Sequence, residues 1–116
     1  MTAEFRVRHF YDWANYPLWS ANDAARDAFG YPIEPTDLPL SRQTVVRIRY
    51  LSAWHDTALN WESPTDPGPW DAEEYERFNA AARELLADLR QELGPRFEIV
   101  DEFKPYVPHN LSLIHI

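Results

Sequence analysis

Hydrophobic residues recur at steps of three and four along residues 72–93, which is the spacing of a helix that buries one side. The stripe consists of Tyr75, Phe78, Ala82, Leu85, Leu86, Leu89 and Leu93. Gly94 and Pro95 follow, a pair that ends helices because glycine adopts left-handed conformations and proline cannot continue the hydrogen-bond ladder. Weaker patterns of the same kind predict helices over residues 21–29 and 42–60.

A polar residue that can cap a helix precedes each of these predicted helices. Ser20, Ser41 and Asp71 each follow an apolar residue, and each carries an oxygen that can accept from first-turn amides. Apolar residues on either side of a cap, such as Trp70 and Tyr75, can pack together as a hydrophobic staple. The repeated signature predicts where the three helices begin, and Gly30 predicts where the first one ends.

Both ends of this region carry strand patterns. Phe5, Val7 and His9 alternate with arginines, and the segment Phe-Glu-Ile-Val-Asp, residues 97–101, follows the turn after the last helix. Three helices that each reverse the chain would bring the two strands side by side in the same direction. The predicted fold class is therefore α+β or a small α/β fold, with three helices packed on a short two-stranded sheet formed by the N- and C-terminal strands.

The length of 116 residues predicts one domain, because chains this short seldom divide into two cores. We expect a single globular domain over residues 1–104 and an irregular tail over residues 105–116. The last six residues, Leu-Ser-Leu-Ile-His-Ile, resemble the translation of a DNA sequencing adapter. Residues 111–116 are therefore left out of the functional interpretation.

Composition excludes several classes of protein. The absence of cysteine removes disulfides and thiolate chemistry, and three glycines leave no glycine-rich phosphate loop. A net charge of −8 argues against direct nucleic-acid binding and against a cationic membrane-surface protein. No apolar run approaches a membrane span, so a cytoplasmic location is expected. Scattered histidines predict no metal site, and we expect no cofactor.

The negative charge is concentrated between the second and third predicted helices. Residues 50–76 contain seven acids and no base, interleaved with tryptophan and tyrosine. Within them the proline-rich segment 61–70, hereafter the acidic loop, predicts a stiff surface for a basic protein partner. The predicted partner-binding residues are Trp61, Glu62, Asp66, Trp70 and Glu73. The alternative is that the acids serve the dipole of the third helix and the tryptophans fill the core.

A second polar group, His55, Asp56 and Asn60, lies just before this loop. Helical spacing places His55 on the apolar side, which predicts a neutral core histidine. Asp56 is expected to pair with Arg49 or with loop amides, and Asn60 to cap the helix. The alternative is a small hydrolase or ligand-binding domain with a pocket between Trp54 and Trp61, in which His55 and Asp56 act. No residue is assigned a catalytic role.

A third alternative is a nucleic-acid mimic in which carboxylates imitate phosphates. Glu73, Glu84 and Asp88 on the last helix, together with the acids of the acidic loop, would supply its charges. Arginines interrupt the acids of that helix at Arg77, Arg83 and Arg90. The remaining arginines, including Arg6 and Arg8 on the first strand and three on the second helix, are expected to pair internally.

Three segments carry a resemblance to known sequences: LWSANDAARDAFGYPI, LSAWHDTALNWESPTDPGPW and RFNAAARELLADLRQELGP, together with the short LPLS. They resemble a group of small, acidic, uncharacterised actinobacterial proteins over roughly residues 5–102. The resemblance implies a bacterial cytosolic domain and transfers no activity or site residue.

Composition and shape favour a non-enzymatic protein-binding module, similar to the small acidic immunity proteins that mask secreted or contact-delivered toxins. The sequence leaves open whether the protein is an enzyme, although it favours a binding role. The oligomeric state and the identity of the partner are not predicted.

Overall fold

A computed structural model describes residues 3–63, 65–66 and 68–104 of the chain. The regular elements, in chain order, are β1 (Phe5–His9), β2 (Leu18–Ser20), α1 (Asp23–Phe29), α2 (Arg42–Asp56), α3 (Ala72–Leu93) and β3 (Phe97–Asp101). Short 3-10 helices cover Pro35–Asp37 and Gly94–Arg96. The predicted tail, 105–116, lies outside the described residues.

The sheet has three strands in the order β2-β1-β3, so the prediction of a two-stranded sheet is wrong. The parallel pairing of the two end strands is confirmed, with Val7 opposite Ile99. Strand β2 adds to the other edge of β1 in antiparallel register, with Arg8 opposite Trp19. All three residues of β2 are buried, so they show no alternation of polar and apolar residues that would have marked a strand.

The predicted caps are confirmed at two of the three helices. The side chains of Ser41 and Asp71 accept from first-turn amides, and Gly94 ends α3 with a φ of 71°. The prediction for Ser20 is wrong, because Asn22 caps α1 by accepting from the amide of Ala25. Ser20 lies in β2 instead, where its hydroxyl donates to the carbonyl of Gly30.

Helix α2 ends at Asp56, four residues before its predicted end. Beyond Asp56 the backbone hydrogen bonds join residues three apart, as in a 3-10 helix. The amide of Thr57 donates to the carbonyl of Trp54, and the amide of Ala58 donates to the carbonyl of His55. The hydroxyl of Thr57 also donates to the Trp54 carbonyl at 2.6 Å, and this bond competes with continuation of the helix. Asn60 therefore lies outside the helix, and its predicted role as a helix cap is wrong.

The core lies between one face of the sheet and helices α2 and α3. It is centred on Phe78, which is fully buried, and the predicted stripe of α3 supplies most of the leucines. Val7, Leu18 and Ile99 contribute from the sheet. Among the described residues, no helix has both the length and the apolar character needed to cross a bilayer.

The opposite face of the sheet is partly exposed, and its charges pair with one another. This open face is defined by Arg6, Arg8, Glu98 and Glu102. Arg6 lies 3.3 Å from Glu98, and the Arg8 guanidinium donates twice to Glu102, at 2.9 and 2.6 Å. The expected internal pairing of these arginines is confirmed.

Candidate functional site

The acidic loop begins at a tryptophan that is held at one edge and exposed elsewhere. The indole nitrogen of Trp61 donates to the main-chain carbonyl of Asp56 at 2.7 Å, while 56% of the residue remains accessible to solvent. This bond uses a carbonyl at the end of α2 that has no partner within the helix. The end of α2 thus orients Trp61 while leaving much of its surface exposed.

Glu62 and Asp66 follow on the outside of the loop. Both side chains are exposed, and neither forms an ion pair with any described residue. Turn hydrogen bonds support the chain between them: the Ser63 amide donates to the Asn60 side chain at 3.1 Å, and the Asp66 amide donates to the Ser63 carbonyl at 2.9 Å. The two carboxylates are therefore presented to solvent from a bonded turn. Pro64 and Pro67 lie outside the described residues.

The end of the loop is anchored by Trp70. This residue is 8% exposed, and its indole nitrogen donates to the Thr57 hydroxyl at 2.7 Å. Its ring lies edge-on to Tyr75 at 5.3 Å between centroids, so the two rings predicted to form a staple are in contact. It also packs on Phe78 at 5.2 Å. Trp70 thus joins the loop to the core.

A close backbone approach fixes the loop a second time. A Cβ atom built on Gly68 would overlap the carbonyl of Ala58, so only glycine fits at this point. The segments that meet here also form the walls of an open cavity of about 360 Å³, between Trp61 and Pro69. The loop is therefore folded back against the end of α2.

Few of the acids in residues 50–76 are neutralised within the described residues. Glu73 and Glu74 form ion pairs with Arg77, at 2.9 and 3.2 Å. Glu74 also accepts from the indole nitrogen of Trp54 at 3.0 Å. Asp71 caps α3 and stays exposed. Of the five predicted partner-binding residues, Trp61, Glu62 and Asp66 share the exposed loop, Trp70 lies beneath it, and Glu73 begins the adjoining helix.

The three residues of the alternative polar site have different surroundings: His55 is buried, Asp56 is half-buried, and the Asn60 side chain accepts from the Ser63 amide. His55 is 1% exposed, and its ring stacks on Trp13 at 4.1 Å, which confirms the prediction of a core histidine. Burial lowers the pKa of His55 from 6.5 to about 4, although the negative charges of Asp56 and Asp12 act to raise it. The imidazole is thus neutral at pH 7 and lies in the interior.

Asp56 binds a loop amide, one of its two predicted partners. Its carboxylate accepts from the main-chain amide of Ala14 at 2.8 Å. The other predicted partner, Arg49, forms an ion pair with Glu34 at 3.0 Å instead. Ala14 has a φ of 61°, in the left-handed region, and nothing in its residue type signals that turn.

Sequence reasoning missed a polar pair between a buried histidine and an exposed carboxylate. His9 is fully buried in β1, and its Nδ1 lies 3.2 Å from a carboxylate oxygen of Asp101 in β3. Burial lowers the pKa of His9, while the hydrogen bond and charge of Asp101 oppose that change. The alternation in β1 placed His9 on the buried face, but only the register with β3 identifies its partner.

The row of acids proposed for a nucleic-acid mimic is interrupted. Glu73 binds Arg77 and Asp88 binds Arg47, so two of its three carboxylates on α3 are paired within the protein. Within residues 3–63, 65–66 and 68–104, no cluster of three histidine or carboxylate side chains is arranged to hold a metal ion. The expectations of no metal and no cofactor stay predictions.

The fold and the loop together define a small α+β domain with an exposed acidic segment that is anchored from beneath. Comparison with protein families identifies its relatives: the model of the Serratia CdiI immunity protein-like family matches residues 5–102. The chain belongs to this family, and membership indicates an immunity-type function exercised by binding a protein toxin. The immunity-like interpretation is confirmed at this level. No curated protein matches the chain.

Proposed function

We propose that the protein binds a basic protein toxin through the acidic loop, as an immunity protein that masks its partner. The observation that carries the proposal is the state of Glu62 and Asp66, which are exposed and form no ion pair within the described residues. The open face of the sheet, by contrast, pairs its carboxylates with its own arginines. Unpaired carboxylates attract a basic partner without first breaking an internal ion pair.

Trp61 is the proposed anchor of the interface. An exposed indole supplies a large contact area with little loss of side-chain entropy, and tryptophan is enriched among residues that dominate binding energy. Its hydrogen bond to the Asp56 carbonyl already fixes the ring in the free protein. The cavity beside it, between Trp61 and Pro69, offers room for a side chain of the toxin.

Trp70 and Glu73 have supporting roles in this proposal. Because Trp70 is buried, it acts by holding the loop against Thr57 and Phe78. Glu73 extends the acidic surface onto α3, although its ion pair with Arg77 reduces its contribution. Direct contact is thus assigned to the exposed residues of the loop, and preorganisation to the buried one.

The test is to purify the proteins encoded by the genes that flank this one and to measure their binding to this protein by titration calorimetry. Trp61→Ala should weaken the affinity by tenfold or more, which corresponds to about 1.4 kcal/mol. The matched control is Tyr31→Ala, which removes the exposed aromatic residue near the open face of the sheet. Equal affinities for Trp61→Ala and the unmodified protein would contradict the proposed interface, and absence of any complex would contradict the function.

A further inference from the structure

A second cavity lies directly beside the acidic loop, on the other side of Asp56. It measures about 310 Å³ and opens between the turn at Ala14–Tyr16 and the C-terminal half of α2. Asp56 belongs to both regions: its carbonyl accepts from the Trp61 indole at 2.7 Å, and its carboxylate accepts from the Ala14 amide at 2.8 Å. Asp56 therefore links Trp61 to the wall of this turn cavity.

The wall of the turn cavity is held rigidly in an uncommon conformation. Ala14 occupies the left-handed region, which costs a residue with a Cβ atom about 1 kcal/mol. Hydrogen bonds fix the turn around it, from the Asn15 amide to the Asp12 carbonyl and from the Asn15 side chain to the Trp13 carbonyl. The stacking of Trp13 on buried His55 attaches the turn to α2. The cavity is thus shaped before any partner arrives.

The polar groups that line the turn cavity favour a positively charged guest. Asp56 forms no ion pair with the described residues, while the guanidinium of Arg49, which lines the cavity from the same helix, is already balanced by Glu34 at 3.0 Å. Ser52 also lines the cavity, is 6% exposed, and has a hydroxyl without a hydrogen-bond partner in the described part of the chain. A carboxylate and an unused hydroxyl oxygen both accept hydrogen bonds from a cation.

We infer that the turn cavity receives an arginine or lysine side chain of the toxin, with Asp56 as its counter-ion and the Ser52 hydroxyl as a further acceptor. This inference deepens the proposed function and rests on it for the source of the side chain. It adds residues of the 12–16 turn to the interface, although the acidic loop and the turn are far apart in sequence. The volume of the cavity accommodates one such side chain.

The first test needs no toxin, so its outcome is independent of the proposed function. Nα-acetyl-arginine methylamide is titrated into ¹⁵N-labelled protein, with the uncharged citrulline analogue as the matched ligand. The arginine compound should shift the amide signals of Ala14, Asn15 and Ala53 in a saturable manner, and citrulline should shift them at least tenfold more weakly. Equal responses to both ligands, or none around the turn, would overturn the inference.

The second test uses two variants of the cavity against the toxin domain. Asp56→Asn removes the charge but keeps an oxygen for the Ala14 amide, and Ala53→Leu fills the cavity from an exposed helical position. Each should weaken toxin binding about tenfold or more. The control is Ala87→Leu, the same change at an exposed position of α3.

The two tests separate failure of this inference from failure of the proposed function. If both cavity variants bind the toxin like the unmodified protein while Trp61→Ala binds weakly, the toxin side chain does not enter the cavity and the loop proposal stands. If Asp56→Asn is unstable, Ala53→Leu still decides the question, because its change adds atoms outside the core. Unchanged toxin affinity in Ala53→Leu would overturn the inference.

Discussion

The acidic loop and the open face of the sheet contain the same types of residue and use them differently. On the sheet, Arg8 is bound by Glu102, lies 4.7 Å above the ring of Phe10, and approaches the Tyr31 hydroxyl at 3.4 Å. In the loop, Glu62 and Asp66 form no ion pair with described residues. The two regions therefore share an acidic and aromatic composition but differ in whether their charges are paired. What distinguishes the loop is that its charges have no counter-ions within the described chain.

The loop also differs from the sheet in what holds it. Strand pairing and ion pairs fix the open face, whereas the loop is held by an indole hydrogen bond at each end, by turn hydrogen bonds and by the close approach of Gly68 to Ala58. Trp70 attaches one end to the core, and the Trp61 indole attaches the other to Asp56. Removing one of these anchors or ion pairs should therefore change stability differently in the two regions.

Removal of the buried anchor should have the largest effect on stability. Trp70→Ala deletes a ring that packs on Phe78 and Tyr75 and a hydrogen bond to Thr57. We expect the free energy of unfolding to fall by about 3–5 kcal/mol, measured by denaturant titration. Trp61→Ala is the matched control and should change it by less than about 1 kcal/mol, because that ring is largely exposed. A similar loss in both variants would contradict the division into anchor and exposed contact.

The next largest effect should come from pH, through His55. In the unfolded chain the imidazole binds a proton near pH 6.5, but in the folded protein its pKa is about 4. The free energy of unfolding should therefore fall as the pH decreases from about 6.5 to 4, by roughly 3 kcal/mol in total. Below pH 4 the loss due to His55 should not increase further. Denaturant titrations at several pH values measure the change.

His55→Phe is the control for this pH dependence. Phenylalanine keeps a ring against Trp13 and removes the proton-binding site. Most of the decrease between pH 6.5 and 4 should disappear, and the part that remains belongs to His9, whose pKa is also lowered by burial, and to Glu92 and Glu102, whose pKa values are lowered by hydrogen bonds. Parallel pH profiles for the variant and the unmodified protein would show that His55 is not the responsible group.

A smaller effect is expected when the pairing on the open face of the sheet is broken. Glu102→Gln removes the charge that holds the Arg8 guanidinium and should lower the thermal midpoint slightly, because both side chains are partly exposed. The loss should decrease further in high salt. Asp66→Asn is the matched change in the loop and should leave the midpoint unchanged, since no described counter-ion is lost. An equal decrease of the thermal midpoint in the two variants would contradict the claim that charges are paired on the sheet and unpaired in the loop.

Much of the fold could be predicted because its signals are local. The stripe of α3, the caps at Ser41 and Asp71 and the glycine after α3 all lie within a few residues of the feature they specify. Strand β2 could not be predicted in the same way, because Leu18–Ser20 is short and wholly buried. The Trp19-Ser20 pair also has the residue types that precede a helix, but the residue that caps α1 is Asn22, two positions later.

The site was only partly predictable for a different reason. Composition identified the acidic loop, and helical spacing placed His55 in the core. The pairing of charges depends on contacts between residues distant in sequence, such as Arg8 with Glu102. The turn at Ala14 depends likewise on Asp56, 42 residues away. Such contacts have no local signature, so the sequence could not show which acids remain unpaired.

The most direct test of the central claim is the association rate with the toxin domain after charge reversal in each region. The double variants Glu62→Lys with Asp66→Lys and Glu98→Lys with Glu102→Lys each change the net charge by the same amount, from −8 to −4. The loop variant should associate about tenfold or more slowly with an unchanged thermal midpoint, and the sheet variant should associate at nearly the original rate with a lowered midpoint. Equal slowing in both variants, or an unchanged rate for the loop variant, would contradict the claim that the unpaired acids of the loop guide the toxin.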